Sequence, residues 1–313
     1  MRKLAATTAL LAPAAASVGT LYATYRYAFH SPNSRQNDDH AVAHTSQMDP
    51  LSDRIHGMID AAQAIPYESV WITCRDGLQL HARYYHSRDG APLNICFHGY
   101  RGTPRRDFSG GIQIMLKAGQ NVLMVEQRAH CESEGSTITF GVKERYDCLD
   151  WIHYALDRFG RGTKILLVGI SMGASTVLMA AGLPLPPEIK GIIADCPYTS
   201  PEAIIRKVVG GKRRPTELSY RVTALAARLF GGFDLTAASP LEAVTKTKLP
   251  ILLIHGEEDR FVPCTMSKEL YAAAPDHIQL ELFPGAGHGL SYLVDQERYE
   301  RVVREFQQQV LGE

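Results

Sequence analysis

The run Leu166-Leu167-Val168-Gly169-Ile170-Ser171-Met172-Gly173-Ala174 constrains this chain more than any other stretch. An apolar run enters it, and a small, helix-compatible run from Ala174 to Ala180 leaves it. The pattern reads as a buried strand, a sharp turn carrying a serine, and the first turn of a helix. Glycines two residues to either side of the serine let strand and helix come close, and the strained turn pushes the Ser171 hydroxyl into the open. Ser171 is therefore a candidate nucleophile. A Gly-Ser turn between a core strand and a core helix is the plainer alternative.

A serine hydroxyl is a weak nucleophile at neutral pH; it needs a base, and the base needs an orienting acid. In a strand–turn–helix setting the expected chain order is Ser, then Asp or Glu, then His. Downstream, the apolar run 251–254 leads into His255-Gly256-Glu257-Glu258-Asp259-Arg260-Phe261-Val262-Pro263. Asp259 is the preferred acid, with Glu257 and Glu258 as rivals. The run 278–283 leads into Pro284-Gly285-Ala286-Gly287-His288-Gly289, where glycines let a histidine loop reach across a sheet. His288 is the candidate base. Charge developing on a carbonyl oxygen needs preorganised donors. The backbone N–H of Met172, next after the serine, is one. Tyr100, in the loop after the strand ending at His98-Gly99, is the other, with Arg101 as its rival. His98 reads as support for that loop.

The surrounding elements alternate. A hairpin is expected first, with β-rich runs at 70–74 and 78–85 around Arg75-Asp76-Gly77. Strands follow at 93–97, 120–125, 164–170, 189–194, 250–254 and 278–283, separated by helical patterns that include 142–159, 264–273 and 293–310. Ile55, Met58, Ile59 and Ala62 mark one face of an earlier helix. Such alternation predicts an α/β protein: a mostly parallel, twisted sheet with helices on both faces and its site beyond the carboxyl ends of the strands. From 200 to 247 the alternation pauses. Helical segments at 201–209 and 216–230 predict a small helical cap inserted over the sheet, within a main domain at 51–313.

Charge is balanced, 33 basic against 33 acidic side chains, with no long block of one sign, which argues against a nucleic-acid surface. The six cysteines show no CxxC pair or zinc-type spacing and read as buried free thiols. No metal and no cofactor are expected. At the start, Arg2 and Lys3 precede an uncharged run at 4–25. A bilayer-spanning helix takes about 20 residues, so residues 1–30 are expected to hold a membrane anchor, with Tyr22, Tyr25 and Tyr27 at the interface. The main domain then lies on the outer side. A signal peptide cleaved near Ala14-Ala15-Ala16, giving a secreted protein, is the alternative. Residues 31–50 read as a polar linker.

The blocks His98-Gly99-Tyr100-Arg101-Gly102, Gln127-Arg128-Ala129-His130, Gly169-Ile170-Ser171-Met172-Gly173, Asp195-Cys196-Pro197-Tyr198, His255 to Pro263 and Gly287-His288-Gly289 together resemble the α/β-hydrolase-fold serine hydrolases. The likeness is to a bacterial group of α/β hydrolases and serine aminopeptidase-like hydrolases that often carries an N-terminal hydrophobic segment. It covers about 70–310. Two departures stand out: the group's Asp-Gln-Arg-x-His-Gly-x-Ser loop has Glu126 in place of its Asp and Cys131 in place of its Gly. Cys131 strains the loop if that position needs a positive φ. Arg101, Arg105 and Arg106 near the expected site mouth read as solvated charge rather than as a site for anions.

The resemblance implies hydrolysis of carboxylic esters, small or lipid-like, through an acyl-serine intermediate. Serine aminopeptidase or thioesterase chemistry on the same residues stays open, as does a binding protein of the same fold without catalysis. The expected partner is a small-molecule acyl substrate.

Overall fold

The computed structural model describes residues 17–31, 38–41, 45–210 and 216–312. Among these, eight strands form one sheet in the order β1-β2-β4-β3-β5-β6-β7-β8. Strands β1 (Glu68–Thr73) and β2 (Gln79–Tyr85) make the expected antiparallel hairpin, turned at Gly77 with φ of 89°. Strand β2 pairs antiparallel with β4 (Asn121–Val125). The strands β3 (Leu93–Phe97), β5 (Ile165–Ile170), β6 (Ile189–Asp195), β7 (Ile251–Gly256) and β8 (Ile278–Phe283) continue it in parallel.

Helices cover both faces, which is why β3, β4 and β7 are buried at every position and are apolar apart from Asn94, Asn121 and the His255-Gly256 end of β7. On one face, α5 (Glu144–Phe159), α6 (Met172–Ala180) and α10 (Thr265–Ala273) bury Trp151, Val177 and Leu270. On the other, α2 (Ser52–Gln63), α4 (Gly111–Lys117) and α12 (Gln296–Leu311) bury Ala62, Ile112 and Val303. The short α3 (Pro104–Asp107) starts where Thr103 accepts the Arg106 N–H at 3.2 Å, with Pro104 at its first position. The single helix expected over 293–310 is two: α11 (Ser291–Val294) ends where the Asp295 side chain accepts the Arg298 N–H and starts α12.

Over the carboxyl ends of the strands lie α7 (Pro201–Val209) and α8 (Thr216–Ala226), the latter running into a wider turn at Ala227–Gly231. Ile204, Ile205, Tyr220 and Ala227 join Phe140, Met172 and Tyr198 in a third core. The sequence reading extends the cap to 247, but α9 (Pro240–Lys246) lies on the sheet side. Val244 is fully buried in the core of α5 and α6, and Ala243 Cβ stands 3.0 Å from where a side chain on Gly182 would begin. Strand spacing alone does not show which layer a helix joins.

The N-terminal helix α1 (residues 17–28 of the described chain) packs against the cap. Tyr25 and Phe29 are buried; Phe29 meets the rings of Phe140 and Phe233 edge-on, and the Tyr25 hydroxyl meets Thr137 Oγ1 at 2.7 Å. The expectation of Tyr25 at a membrane interface is corrected: its ring sits within the protein, because the aromatic cap surface offers it a dry partner. No helix among the described residues is long and apolar enough to cross a membrane. The candidate cleavage site Ala14-Ala15-Ala16 and most of the 4–25 run lie outside the described residues. All six cysteines are free, five of them buried.

Candidate active site

Strand β5 ends at Ile170 and α6 begins at Met172, leaving Ser171 alone on the turn at φ 56°, ψ −113°. That conformation costs a non-glycine residue about 1–3 kcal/mol and survives only where the surroundings over-determine it. Here the Ser171 N–H donates to Asp195 O at 2.8 Å, tying the turn to the end of β6. The flanking glycines are steric necessities. A Cβ on Gly173 would lie 1.9 Å from Phe97 O, and one on Gly169 would lie 2.4 Å from the Gly173 carbonyl carbon.

The structure brings Ser171, His288 and Asp259 together from the ends of β5, β8 and β7. His288 Nε2 lies 2.9 Å from Ser171 Oγ, and His288 Nδ1 lies 2.6 Å from Asp259 Oδ2. A carboxylate only accepts, so Nδ1 carries the ring proton and Nε2 faces the serine as an acceptor. Asp259 is buried, whereas its sequence rivals Glu257 and Glu258 are exposed. Burial alone would raise the Asp259 carboxyl, but hydrogen bonds with His255 and His288 outweigh it and hold it at about 2. Its Oδ1 accepts the N–H groups of Phe261 and Val262 at 2.9 and 2.8 Å.

Four further residues support this arrangement, and local sequence patterns singled out a role only for His98. His255 is fully buried; its Nε2 faces Val262 O at 2.9 Å and Asp259 Oδ2 at 3.3 Å, while Nδ1 meets Ser267 Oγ at 2.7 Å. His130 Nε2 accepts the Arg101 N–H at 3.1 Å, and its Nδ1 faces Arg128 O at 2.9 Å. Burial, then the neighbouring His98, keeps the His130 proton affinity well below the usual histidine range. Asp107 Oδ2 accepts the Gly99 N–H at 2.7 Å. His98, also buried, faces Gly99 O and accepts the Gln127 N–H, so both its nitrogens are engaged within the loop.

These contacts sort the two oxyanion candidates from the 98–101 loop. Arg101 spends its N–H on His130, which leaves Tyr100 as the better-placed backbone donor. Met172 stands in the first turn of α6, where N–H groups lack intrahelical acceptors and the helix dipole favours negative charge.

The two loop departures have physical accounts. Glu126 is fully buried, with Oε2 at 2.9 Å from His81 Nδ1 and Oε1 at 2.8 Å from Arg83 Nη2; Oε2 also accepts the Glu132 N–H. The longer acid thus reaches partners on β2. Cys131 does stand at a positive φ, 48°. Of the arginines expected to be solvated, Arg101 is exposed while donating to Tyr27 O at 2.7 Å; the expectation is corrected for Arg105 and Arg106, which are half-buried and pair with Asp39 at 2.6 Å and Asp107 at 3.0 Å. The acceptors of Arg101 and Arg105 come from chain segments far away in sequence, so no local pattern announces them, whereas Asp107 is the next residue after Arg106.

Two mainly apolar cavities meet at Ser171. One, of about 580 Å³, lies between α2, α4 and α11 and includes Met58, Met115 and Leu293. The other, of about 1000 Å³, lies under α1, α7 and α8. Phe261, its ring 5.1 Å from that of His288, borders both.

The fold and this constellation define an α/β-hydrolase-fold protein, and the sequence comparisons agree. Residues 95–228 match the α/β hydrolase fold family model, and residues 216–293 match the model described as serine aminopeptidase, S33. The protein YqkD of Bacillus subtilis is 28% identical over 196 residues, 62% of this chain and 64% of the relative, so the chain matches less than two thirds of that protein's length. Protein ABHD12B of Homo sapiens is 26% identical over 65% of this chain and 57% of its own. Among solved structures, the Pyrococcus furiosus esterase Pf2001 is 24% identical, covers 86% of this chain and 96% of that one, and superposes with a TM-score of 0.64. Est1E of Butyrivibrio proteoclasticus, solved with ferulic acid, covers 78% of this chain and all of that one at 22% identity and a TM-score of 0.61. The family-model matches support a hydrolase.

Proposed function

We propose that this protein is a serine hydrolase that cleaves carboxylic esters through an acyl-serine intermediate. The observation that carries the reading is the hydrogen-bonded series from Ser171 Oγ through His288 to Asp259, at 2.9 and 2.6 Å. His288 Nε2 takes the Ser171 proton as Oγ attacks the ester carbonyl carbon, and Asp259 stabilises the imidazolium. The N–H groups of Met172 and Tyr100 hold the oxyanion. Collapse of the tetrahedral intermediate breaks the bond to the alcohol oxygen, which leaves with the proton from His288. A water molecule, deprotonated by His288, then attacks the acyl-serine; the acid is released and the proton returns to Ser171.

Esters are favoured over aminoacyl amides by the walls of the site. Both cavities beside Ser171 are mainly apolar, which suits hydrocarbon on either side of the scissile bond. Membrane association through residues 4–25 is kept as part of the proposal, supported by the uncharged run itself. Fluorophosphonate labelling tests the chemistry: labelling of the wild type and loss of it in Ser171→Ala are expected, and an unlabelled folded wild type would sink the reading. A panel of nitrophenyl esters and aminoacyl amides, with Ser171→Ala as control, separates esterase from aminopeptidase. Fractionation of the full-length protein tests the anchor.

A further inference from the structure

We propose that α1 is a specificity-determining part of the substrate site, its inner face forming the wall that receives a long aliphatic chain of the substrate. The inference rests on the serine-hydrolase reading and extends it to the substrate's size and shape. Thr20, Ala23, Thr24, Tyr27 and Ala28 all border the cavity of about 1000 Å³ that opens beside Ser171 and Met172. The facing wall comes from α7 and α8, including Ile204, Val208 and Leu218. Without α1, one whole side of this cavity is solvent. With it, a mainly apolar cleft at the upper end of the usual ligand-pocket range, roughly 300–1,000 Å³, lies between α1 and the cap helices and reaches the nucleophile, its rim open to solvent at Tyr27, Val208 and Leu218.

The helix is held firmly enough to act as a wall. Beyond the buried Tyr25 and Phe29, its last turn grips the candidate oxyanion loop. The Tyr100 hydroxyl donates to Ala28 O at 2.8 Å, and Arg101 Nη2 donates to Tyr27 O at 2.7 Å and to His30 O at 3.3 Å. A guanidinium at a helix C-terminus satisfies carbonyls that lack intrahelical donors and complements the dipole. Arg101 itself stands at φ 51°, so these bonds, with the His130 contact, fix a residue in a conformation it would otherwise avoid. Wall and reaction loop are therefore one joined unit. The occupant is identified by chemistry: the lining is mainly hydrocarbon, the cleft is large, and the nucleophile borders it. An aliphatic chain fits, carried on either the acyl or the alcohol side of the ester.

The test uses the full-length protein and two ester series, nitrophenyl esters of increasing acyl length and alkyl acetates of increasing alkyl length. The wild type is expected to prefer dodecyl to acetyl or ethyl chains in at least one series, and that series identifies which side of the ester occupies the cavity. Ala23→Trp, at an exposed position of the helix bordering the cleft, narrows it and is expected to lower the long-to-short ratio of kcat/KM at least tenfold. Thr24→Phe serves as an independent second filling. Val18→Trp, which adds the same bulk away from the cavity, should leave the ratio unchanged. A wild type that cleaves only short chains, or a ratio unmoved in both filled variants with their melting temperatures retained, overturns the proposal. An enzyme that takes up fluorophosphonate at Ser171 yet shows either result keeps the serine-hydrolase reading; an enzyme that labels with nothing loses both.

Discussion

Asp259 divides its carboxylate between two tasks: Oδ2 faces His288 Nδ1 at 2.6 Å, and Oδ1 is held by two backbone N–H groups of its own loop. The loop thus fixes the acid before the histidine needs it. Asp259→Asn keeps the shape but offers an amide that can donate to Nδ1, favouring the wrong ring tautomer. By the behaviour of such triads a fall in kcat of about 10⁴-fold is expected, with little change in KM. Steady-state kinetics on a nitrophenyl ester, alongside circular dichroism, measures it. A loss below tenfold would remove Asp259 from the proposed machinery.

The pH dependence of stability should carry two opposite contributions from neighbouring acids. Asp259, depressed to about 2, contributes stability that is present above pH 3.8 and lost as pH falls through about 2. Asp195 is raised to about 6, chiefly by burial; the Tyr299 hydroxyl donates to its Oδ2 at 3.0 Å. Its folded form binds the proton more tightly than the unfolded chain, so its contribution is full below pH 3.8 and is lost as pH rises through 6. Asp195→Asn should therefore raise the urea midpoint at pH 8 more than at pH 4. Equal shifts at both values would contradict this.

Cys131 at φ 48° predicts a gain from removing its side chain. Cys131→Gly relieves a left-handed conformation worth roughly 1–2 kcal/mol per non-glycine residue, partly offset by the freer unfolded chain. A net gain of about 1 kcal/mol, read as a higher melting temperature, is expected. Glycine at this position is also what the resembling group carries.

The elbow glycines predict the reverse. Gly173→Ala would put a methyl carbon 1.9 Å from Phe97 O, a backbone atom in the middle of the sheet. Strand β3 cannot retreat without breaking its pairing with β4 and β5. The variant should fail to accumulate as soluble protein, whereas Ser171→Ala should accumulate normally. Expression and solubility assays on the pair separate steric from chemical roles at the same turn.

Tyr100→Phe removes one hydrogen bond, to Ala28 O, and keeps the ring stacked on Phe140 at 5.0 Å. A neutral bond contributes about 1 kcal/mol. If that energy positions the reaction loop, kcat should fall about fivefold with KM for a short ester little altered. An unchanged kcat would show that the hydroxyl serves stability alone.

Much of the fold was legible because the strands are short segments, apolar or alternating, bounded by turn residues; the spans 93–97 and 278–283 coincide with β3 and β8. Ser171, Asp259 and His288 were legible because each follows such a run. What escaped was set by contacts between distant segments. His130 looks like any loop histidine until Arg101 N–H is found against it. Likewise, α9 reads as cap because nothing in its own residues names Gly182 as neighbour. The burial of Tyr25 was not legible either, because a run read by its length and lack of charge does not reveal the aromatic cap surface that the Tyr25 ring meets.

Gly287, next to His288, has no side chain, and the space one would fill is taken by Gln47, whose Oε1 lies 2.2 Å from the virtual Cβ. The stretch that composition marks as a spacer therefore plugs the rear of the histidine loop. A chimera that grafts this hydrolase core from Leu51 onward would inherit every element of the sheet and still carry a hole behind its base, so the transplantable unit begins upstream of where its sequence first looks folded.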